Sequence, residues 1–246
     1  MFSIQIDGTE IGNIIKVTNV DRGGLAPIST EYRQYSAIDG SKLINKKYTH
    51  RTITIEYSIY DEVNTKWELI KKILTKNEVF KVVFGDYPDR YFECILDGDT
   101  TFEKHSKQFA SGTISLVAPH PFAYSVQEST AVRDGNKLIF DNQGTSKGYP
   151  VIEFVAERDY MMIGFSAPKD NYAQFGYSTN TVPIIKVEQR FSYDSKTNKA
   201  FVDSKRIYLS EGRGLVINPN RKVEVGLTFP DSINQVVTGT LRSEYI

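Results

Sequence analysis

The segment Arg51–Tyr60 places the tightest constraint on the fold, because its side chains alternate between apolar and polar. Every second position from Ile53 onward is apolar: Ile53, Ile55, Tyr57 and Ile59. A period of two predicts a strand with one buried face and one solvated face. The segment Val223–Phe229 has the same period, so each half of the chain is predicted to contain a half-buried strand.

Shorter strand-like runs fill much of the remaining sequence. They are Phe80–Phe84, Tyr91–Leu96, Gly112–Val117, Lys137–Phe140, Val151–Val155, Tyr160–Phe165, Ile184–Val187, Lys199–Val202 and Val236–Leu241. Turn-forming Asp-Gly pairs separate several of them. Aromatic residues reach 12% and there are 3 Met, a composition that favours sheet over helix. Many short strands with frequent turns predict a mainly β protein built from sandwiches or barrels.

One segment, Asp61–Lys76, has the periodicity of an amphipathic helix. Its apolar stripe recurs at steps of three and four residues: Val63, Trp67, Ile70, Ile73 and Leu74. Asp61 is the predicted N-cap. Trp67 is predicted to anchor the core through the stripe, and an exposed ligand platform is the alternative. The helix makes the first half α+β, whereas the second half is predicted to be all-β.

Two prolines, Pro119 and Pro121, interrupt the strand pattern near the middle of the chain. Proline lacks the backbone donor that a strand ladder needs. The stretch 125–136 that follows is polar and rich in turn residues before strands resume. We therefore predict two domains, residues 1–125 and residues 137–246.

The segment Asp21–Tyr48 is long and polar and has no clear period. It combines Gly23-Gly24 and Pro27 with apolar and charged side chains. Irregular segments of more than about 15 residues are uncommon in compact domains and are usually functional or disordered. A long hairpin with polar strands is the alternative interpretation. Either structure is expected to project from the body of the domain.

Charge and targeting patterns exclude several kinds of partner. Lys and Arg total 30 and Asp and Glu total 30, so the chain lacks the basic excess of a nucleic-acid-binding protein. No run approaches the roughly 20 apolar residues of a membrane-spanning helix. The N-terminal sequence has no pattern of a secretory signal. We expect a protein made in the cytoplasm, with neither nucleic acid nor membrane as its partner.

No set of residues has the spacing of a catalytic or metal-binding motif. The three histidines are scattered: His50, His105 and His120. Three acids close in sequence admit a paired-acid or cation site: Asp86, Asp89 and Glu93. A turn with a capped backbone explains these acids more simply. The sequence therefore predicts no enzyme activity and no cofactor.

Several strand-and-turn phrases follow one another in the order of a known family. In the first half they are Arg51–Ile55, Val79–Phe84, Asp86–Phe92 and Leu116–Tyr124. In the second half they are Asn142–Phe154, Tyr193–Ala200 and Leu215–Arg221. Together they resemble the distal tail protein (Dit) family of siphophages that infect Gram-positive bacteria. Asn220 stands where the family pattern usually has Gly.

The resemblance implies a structural protein at the tip of a virion tail. It implies a homohexameric ring that joins the tail-tube protein to the tail-associated lysin or to baseplate and receptor-binding proteins. Residues 1–125 would form the ring, and residues 137–246 a galectin-like β-sandwich. A carbohydrate-binding adhesion module is the alternative, because the second half is rich in tyrosine.

A ring subunit needs segments that reach its neighbours, and Asp21–Tyr48 is the candidate. Its apolar side chains are the predicted interface residues: Leu25, Ile28, Tyr32, Tyr35 and Ile38. Charged residues of the same segment would supply the polar rim of the interface. In a closed ring, one patch of each subunit contacts a different patch on the next.

Overall fold

The computed structural model describes residues 3–35, 39–168, 171–179, 181–229 and 235–246. The chain divides into two compact units, Met1–Val126 with Ile246 and Gln127–Tyr245. The stretch 127–136 thus belongs to the second unit. The functional domains 1–125 and 137–246 stay a prediction. Within the described ranges, no helix has the length and apolar character needed to span a membrane.

The described part of the first unit contains eleven strands, one α-helix and a short 3-10 helix at Ile11–Asn13. The first strands are β1 (Ile4–Ile6), β2 (Thr9–Glu10), β3 (Lys16–Asp21), β4 (Ile28–Gln34), β5 (Ser41–Tyr48) and β6 (Arg51–Tyr60). After them come α1 (Val63–Leu74), β7 (Phe80–Phe84), β8 (Tyr87–Leu96), β9 (Thr101–Lys104), β10 (Phe109–Ala118) and β11 (Ala123–Ser125).

The first unit is built on a sheet in the order β2-β1-β7-β8-β10-β6-β3. An antiparallel ladder joins β6 to β10, from Arg51 opposite Ala118 to Tyr60 opposite Phe109. The predicted alternation in β6 is confirmed, because its apolar side chains are all buried in one core: Ile53, Ile55, Tyr57 and Ile59. Thr52 and Glu56 on the other face are exposed.

The helix α1 is shorter at both ends than the predicted Asp61–Lys76. Asp61 and Glu62 adopt positive φ angles of 55° and 47°. Glu62 is the N-cap, and its side chain makes no capping hydrogen bond. The predicted cap at Asp61 is therefore wrong, because the chain leaves β6 through a left-handed turn that places the first helical residue later.

Trp67 packs against the core, as the apolar stripe predicts. Its half-buried indole lies between two other rings, 5.9 Å from the centroid of Tyr57 and 4.7 Å from that of Phe102. Both pairs are nearly parallel, with interplanar angles of 13° and 10°. The stack ties α1 to β6 and to β9.

The described part of the second unit contains thirteen strands. The first are β12 (Ser129–Thr130), β13 (Val132–Asp134), β14 (Lys137–Asn142), β15 (Val151–Val155), β16 (Met162–Ala167), β17 (Asn171–Gly176) and β18 (Arg190–Asp194). The others are β19 (Lys199–Val202), β20 (Lys205–Ile207), β21 (Glu211–Gly212), β22 (Arg221–Thr228), β23 (Val237–Leu241) and β24 (Glu244–Tyr245).

Two six-stranded sheets form a sandwich in the second unit. Their orders are β12-β23-β15-β18-β19-β20 and β13-β14-β22-β16-β17-β21. One buried apolar cluster includes residues of both sheets. Phe165 of one sheet lies 6.0 Å from both Phe191 and Tyr193 of the other, measured between ring centroids. The predicted mainly β fold with one α-helix is confirmed, while a likeness to galectins stays a prediction.

Two local predictions in the second half are wrong. The run Ile184–Val187 is not a strand; Ile185 makes an isolated bridge to Tyr160, and Glu188 follows with a φ of 69°. The polar stretch 125–136 is not a linker of turns alone, because it contains β12 and β13. These two strands are too short to show an apolar period in the sequence.

Candidate assembly surface

The strands β4 and β5 form a two-stranded sheet of their own within the described part of the chain. They pair in antiparallel register from Ile28 opposite Tyr48 to Gln34 opposite Ser41. Every residue of both strands is exposed. Of the two interpretations of Asp21–Tyr48, the hairpin is correct over these strands, and an irregular structure is not.

The hairpin has one apolar and one polar face. Residues that pair across an antiparallel ladder point to the same side. The pairs Ile28–Tyr48 and Tyr32–Leu43 therefore share a side, which we call the apolar face, and the pairs Thr30–Lys46 and Gln34–Ser41 lie on the same side. The other side, the polar face, carries these residues: Ser29, Glu31, Arg33, Lys42, Asn45 and Lys47.

A β-bulge lies in the middle of the hairpin. The register shifts between Glu31, which pairs with Asn45, and Tyr32, which pairs with Leu43. Ile44 is the extra residue, and it is exposed like its neighbours. A bulge increases the local twist of a strand pair. This bulge places two consecutive exposed apolar residues, Leu43 and Ile44, opposite Tyr32.

Arg51 fixes the root of the hairpin to the body of the first unit. Its side chain is buried and donates hydrogen bonds to three backbone carbonyl oxygens: those of Pro121 at 2.9 Å, Arg22 at 3.0 Å and Gly24 at 3.5 Å. Burial, and secondly the charge of Arg22, lowers the pKa of the guanidinium. A buried arginine that bonds carbonyls orders the chain that enters the hairpin.

The strand β5 has its own anchor at the root. The ring of Tyr48 contacts the buried ring of Phe122 edge to face, with centroids 4.8 Å apart. Thr49 N donates to the carbonyl oxygen of Pro27 at 2.9 Å, one step beyond the last strand pair. Both ends of the hairpin are thus fixed, while the strands between them are solvated.

Arg22 makes a second tie just before the hairpin. Its guanidinium bonds the Asp86 carboxylate with both terminal nitrogens, one pair of atoms being 3.0 Å apart. It also lies over the ring of Phe84, 4.7 Å from the centroid. The hydrogen bonds from Arg22 lower the pKa of Asp86, against a smaller opposing effect of burial. The bidentate bond connects the hairpin root to the turn between β7 and β8.

The acids proposed as a cation site are not gathered into one. Asp86 is engaged by Arg22, and Asp89 by Arg90 at 3.3 Å. Among the described residues, no group of three or more His, Cys, Asp and Glu side chains could hold a metal ion. Cys94 is buried, and burial raises its thiol pKa to about 12. The turn interpretation is correct for Asp86 alone, because Asp89 and Glu93 lie within the strand β8.

The sequence of the first unit matches the family model of the phage tail protein RIFT-related domain over residues 6–118. Residues 6–118 belong to that domain family. The RIFT-related domain includes the hairpin, Arg51 and α1, whereas Pro121 and Phe122 lie just beyond the match. Comparison with curated proteins gives no significant match.

The whole chain has the fold of a solved phage protein. It superimposes on Dit of phage SPP1, described as a paradigm of the hub adsorption apparatus in phages that infect Gram-positive bacteria, with a TM-score of 0.79, 13% identity and 100% coverage of both chains. The baseplate of phage P2, activated with Ca, matches with a TM-score of 0.53 and 10% identity over 99% of this chain and 98% of the other. The RIFT-related domain and the shared fold confirm the resemblance to distal tail proteins.

Of the five predicted interface residues, four lie in described parts of the RIFT-related domain. Leu25 is 78% exposed just before the hairpin, Ile28 and Tyr32 lie on its apolar face, and Tyr35 follows β4. Ile38 lies outside the described residues. Whether these side chains contact a neighbouring subunit stays a prediction.

Sequence reasoning missed three residues of this surface. Leu43 and Tyr48 complete the apolar face, and Arg51 fixes the root. The bulge at Ile44 breaks the period of two, so β5 shows no alternation in the sequence. Arg51 begins a strand whose next residues alternate cleanly, and an arginine at the first position gives no signal of burial.

Proposed function

We propose that this protein is a structural subunit of a siphophage tail tip, and that it forms a ring-shaped hub between the tail tube and the tail-tip or baseplate proteins. The phage tail protein RIFT-related domain and the Dit fold along the whole chain support this role. The structures that match are named as a hub protein and a baseplate, which favours an architectural function over an enzymatic one. Its place is then the virion tail.

The solvated apolar face is the observation that carries the proposal. Tyr32 is 62% exposed, and Leu43 and Tyr48 are each exposed by nearly half. A two-stranded hairpin is marginally stable in water, and large exposed apolar side chains grouped on one face favour a contact surface. The apolar face is therefore complementary to a surface outside the chain, and in a homo-oligomer that surface is on the next subunit.

Such a contact is heterologous, because the hairpin of one subunit meets a different patch of its neighbour. Heterologous contacts close into a ring when the rotation between subunits divides a full turn. Six subunits follow from the family resemblance. In this scheme residues 1–125 form the ring, and residues 137–246 form a separate galectin-like domain. Above and below the ring lie the tail-tube protein and the lysin or baseplate proteins.

Paired variants of the hairpin test the proposal. Ile28→Glu with Leu43→Glu places two carboxylates on the apolar face at positions that do not pair with each other, whereas Ser29→Glu with Arg33→Glu places two carboxylates on the polar face, opposite Lys47 and Lys42. We expect the first pair to abolish ring assembly, and the second to preserve it. Sedimentation velocity of each purified chain, and its incorporation into tails in cells that express the other tail proteins, measure assembly.

Unchanged melting temperatures would show that the body of the first unit folds in both variants, since the hairpin strands bury no side chain in it. Equal assembly of wild type and the apolar-face variant would overturn the role of the hairpin. A wild-type chain that enters no tail at all would overturn the hub function itself.

A further inference from the structure

The second unit contains a cleft of about 950 Å³ at one end of the sheet β13-β14-β22-β16-β17-β21. Ligand sites in proteins commonly have volumes of about 300–1,000 Å³. The described residues that line it are Lys147, Pro168, Asn171, Tyr172, Gly212, Arg213, Gly214, Val216 and Asn218. Lys147 comes from the phrase Asn142–Phe154, and Val216 and Asn218 come from the phrase Leu215–Arg221, while the other lining residues belong to the start of β17 and to the segments around it and β21.

One wall of the cleft is held by a buried asparagine. Asn142 Nδ2 donates to the carbonyl oxygens of Ser146 at 2.9 Å and Ile217 at 3.2 Å, and its Oδ1 accepts from Gly144 N at 3.0 Å. Gly148 and Ile217 exchange two backbone hydrogen bonds of 2.8 Å each. The loops that carry Lys147 and Asn218 are thus fixed before any ligand arrives.

The opposite wall is fixed in the same manner. Asn171 bonds both backbone polar groups of Val216, donating at 2.6 Å and accepting at 2.9 Å. Gly212 has a φ of 101°, and a Cβ atom there would lie 2.2 Å from the carbonyl oxygen of Tyr172. The absence of a side chain lets the backbone of residues 212–214 lie against β17. Pre-ordered walls reduce the entropic cost of binding.

The lining of the cleft is positively charged. Lys147 and Arg213 are exposed, and no described carboxylate lines the cleft beside them or pairs with either cation. A smaller cavity of about 330 Å³ shares part of the same lining and adds Arg221, Lys222 and Glu224. Glu224 is paired with Lys137 at 2.6 Å. Both charged side chains among the described lining residues of the larger cleft are therefore cationic.

The uncharged side chains that line the cleft can contact a ligand that has many hydroxyl groups. Tyr172 is partly exposed on the outer side of β17, where its ring offers a flat apolar surface with a polar edge. The exposed amide of Asn218 can donate and accept hydrogen bonds. Cations beside an aromatic ring and an amide match a ligand that has both hydroxyl groups and negative charges.

We propose that this cleft binds a linear anionic saccharide or polyol chain, with Lys147 and Arg213 on its phosphate or carboxylate groups and Tyr172 against its carbon skeleton. Such polymers are displayed on bacterial surfaces, so the second unit would contribute to adsorption in addition to the hub role. The proposal does not depend on ring formation, since the cleft is formed by the second unit alone.

Titration calorimetry on the full chain at low salt tests the proposal. The probes are a poly(glycerol phosphate) oligomer, a polygalacturonate oligomer, a neutral dextran oligomer, inorganic phosphate and an oligodeoxythymidylate. We expect at least one of the two anionic hydroxylated oligomers to bind, with an affinity that falls as salt rises. The oligomer that binds more tightly shows whether the cleft prefers phosphate or carboxylate groups.

Variants of the cleft distinguish binding at this site from nonspecific attraction of an anionic oligomer to exposed cations. Lys147→Gln with Arg213→Gln should weaken binding by about tenfold or more, since each removes a charge-assisted contact. Tyr172→Ala should weaken it as well. Lys199→Gln with Lys205→Gln removes two exposed cations from the other sheet and should leave the affinity unchanged.

Three results would overturn the proposal. The first is that neither anionic oligomer binds to the wild-type chain. The second is equal affinity in the cleft variant and in the Lys199, Lys205 control. The third is equally tight binding of dextran, of inorganic phosphate or of the oligodeoxythymidylate, which would assign the cleft to neutral sugars, to small anions or to nucleic acid.

Discussion

The Nε atom of Arg51 lies 2.9 Å from the carbonyl oxygen of Pro121, although 70 positions separate the two residues in sequence. Arg51 is 5% exposed, and it is the first residue of β6 directly after the hairpin. The same guanidinium bonds the carbonyl oxygen of Arg22 at the other end of the hairpin. One side chain thus fixes both the entry to and the exit from the proposed assembly element.

Replacing Arg51 tests this anchor. Arg51→Met should lower the free energy of unfolding by about 2–3 kcal/mol, because it leaves buried carbonyl oxygens without donors. Urea denaturation followed by circular dichroism measures the change. Arg190→Met removes an exposed ion pair with Glu153 and should cost less than about 1 kcal/mol. Equal effects of the two substitutions would show that Arg51 is not a structural anchor.

The stack around Trp67 predicts a second stability effect. Trp67→Ala should cost about 3 kcal/mol, the lower end of the range for large buried aromatics, because the indole is only half-buried. Leu69→Ala on the exposed side of α1 should cost less than about 0.5 kcal/mol. Since Trp67 is the only tryptophan, circular dichroism must replace intrinsic fluorescence as the probe. A loss below about 1 kcal/mol for Trp67→Ala would place the ring outside the core.

The Arg22–Asp86 bond predicts a pH dependence. The folded pKa of Asp86 is lowered, so its contribution to stability is fully present above the unfolded value of about 3.9 and disappears as the pH falls through the folded pKa. Both groups are partly exposed, so the contribution at neutral pH should be less than about 1 kcal/mol. The difference in unfolding free energy between wild type and Asp86→Asn should therefore shrink toward acid pH.

A carboxyl titration by NMR gives the direct measurement. Arg22→Gln should raise the pKa of Asp86 toward its ordinary value. An unchanged titration in that variant would show that Arg22 does not cause the shift.

Cys94 should resist thiol reagents in the folded chain. It is fully buried in β8, and burial raises its pKa to about 12, so the thiolate is scarce at neutral pH. Mass spectrometry after treatment with iodoacetamide should show no modification without denaturant and complete modification in urea. Rapid modification of the native chain would indicate that β8 opens locally.

The sequence predicts those parts of the fold in which the apolar residues of one segment recur with one period and pack on one core. β6 buries four alternating residues and α1 buries a stripe, and both segments are recognisable without a structure. The ends of α1 were less predictable, because the left-handed backbone at Asp61 and Glu62 depends on the turn out of β6. Asn220 also has a positive φ, 51°, which asparagine tolerates in place of the expected glycine.

The hairpin and the cleft were harder to predict because neither is defined by burial. β4 and β5 bury no residue, so burial does not require their apolar and polar residues to alternate. The bulge at Ile44 also shifts the period of two in β5. The cleft combines loops that are far apart in sequence, around Lys147 and Arg213. Only the pairing of the sheet brings such loops together.

The subunit contact map of an assembled tail, determined by electron cryomicroscopy, tests the central claim most directly. The proposed function predicts a closed ring in which the apolar face of the hairpin, with Tyr32 and Leu43 at its centre, lies against a neighbouring subunit. A tail in which this face remains solvated and outside every contact between subunits would contradict it.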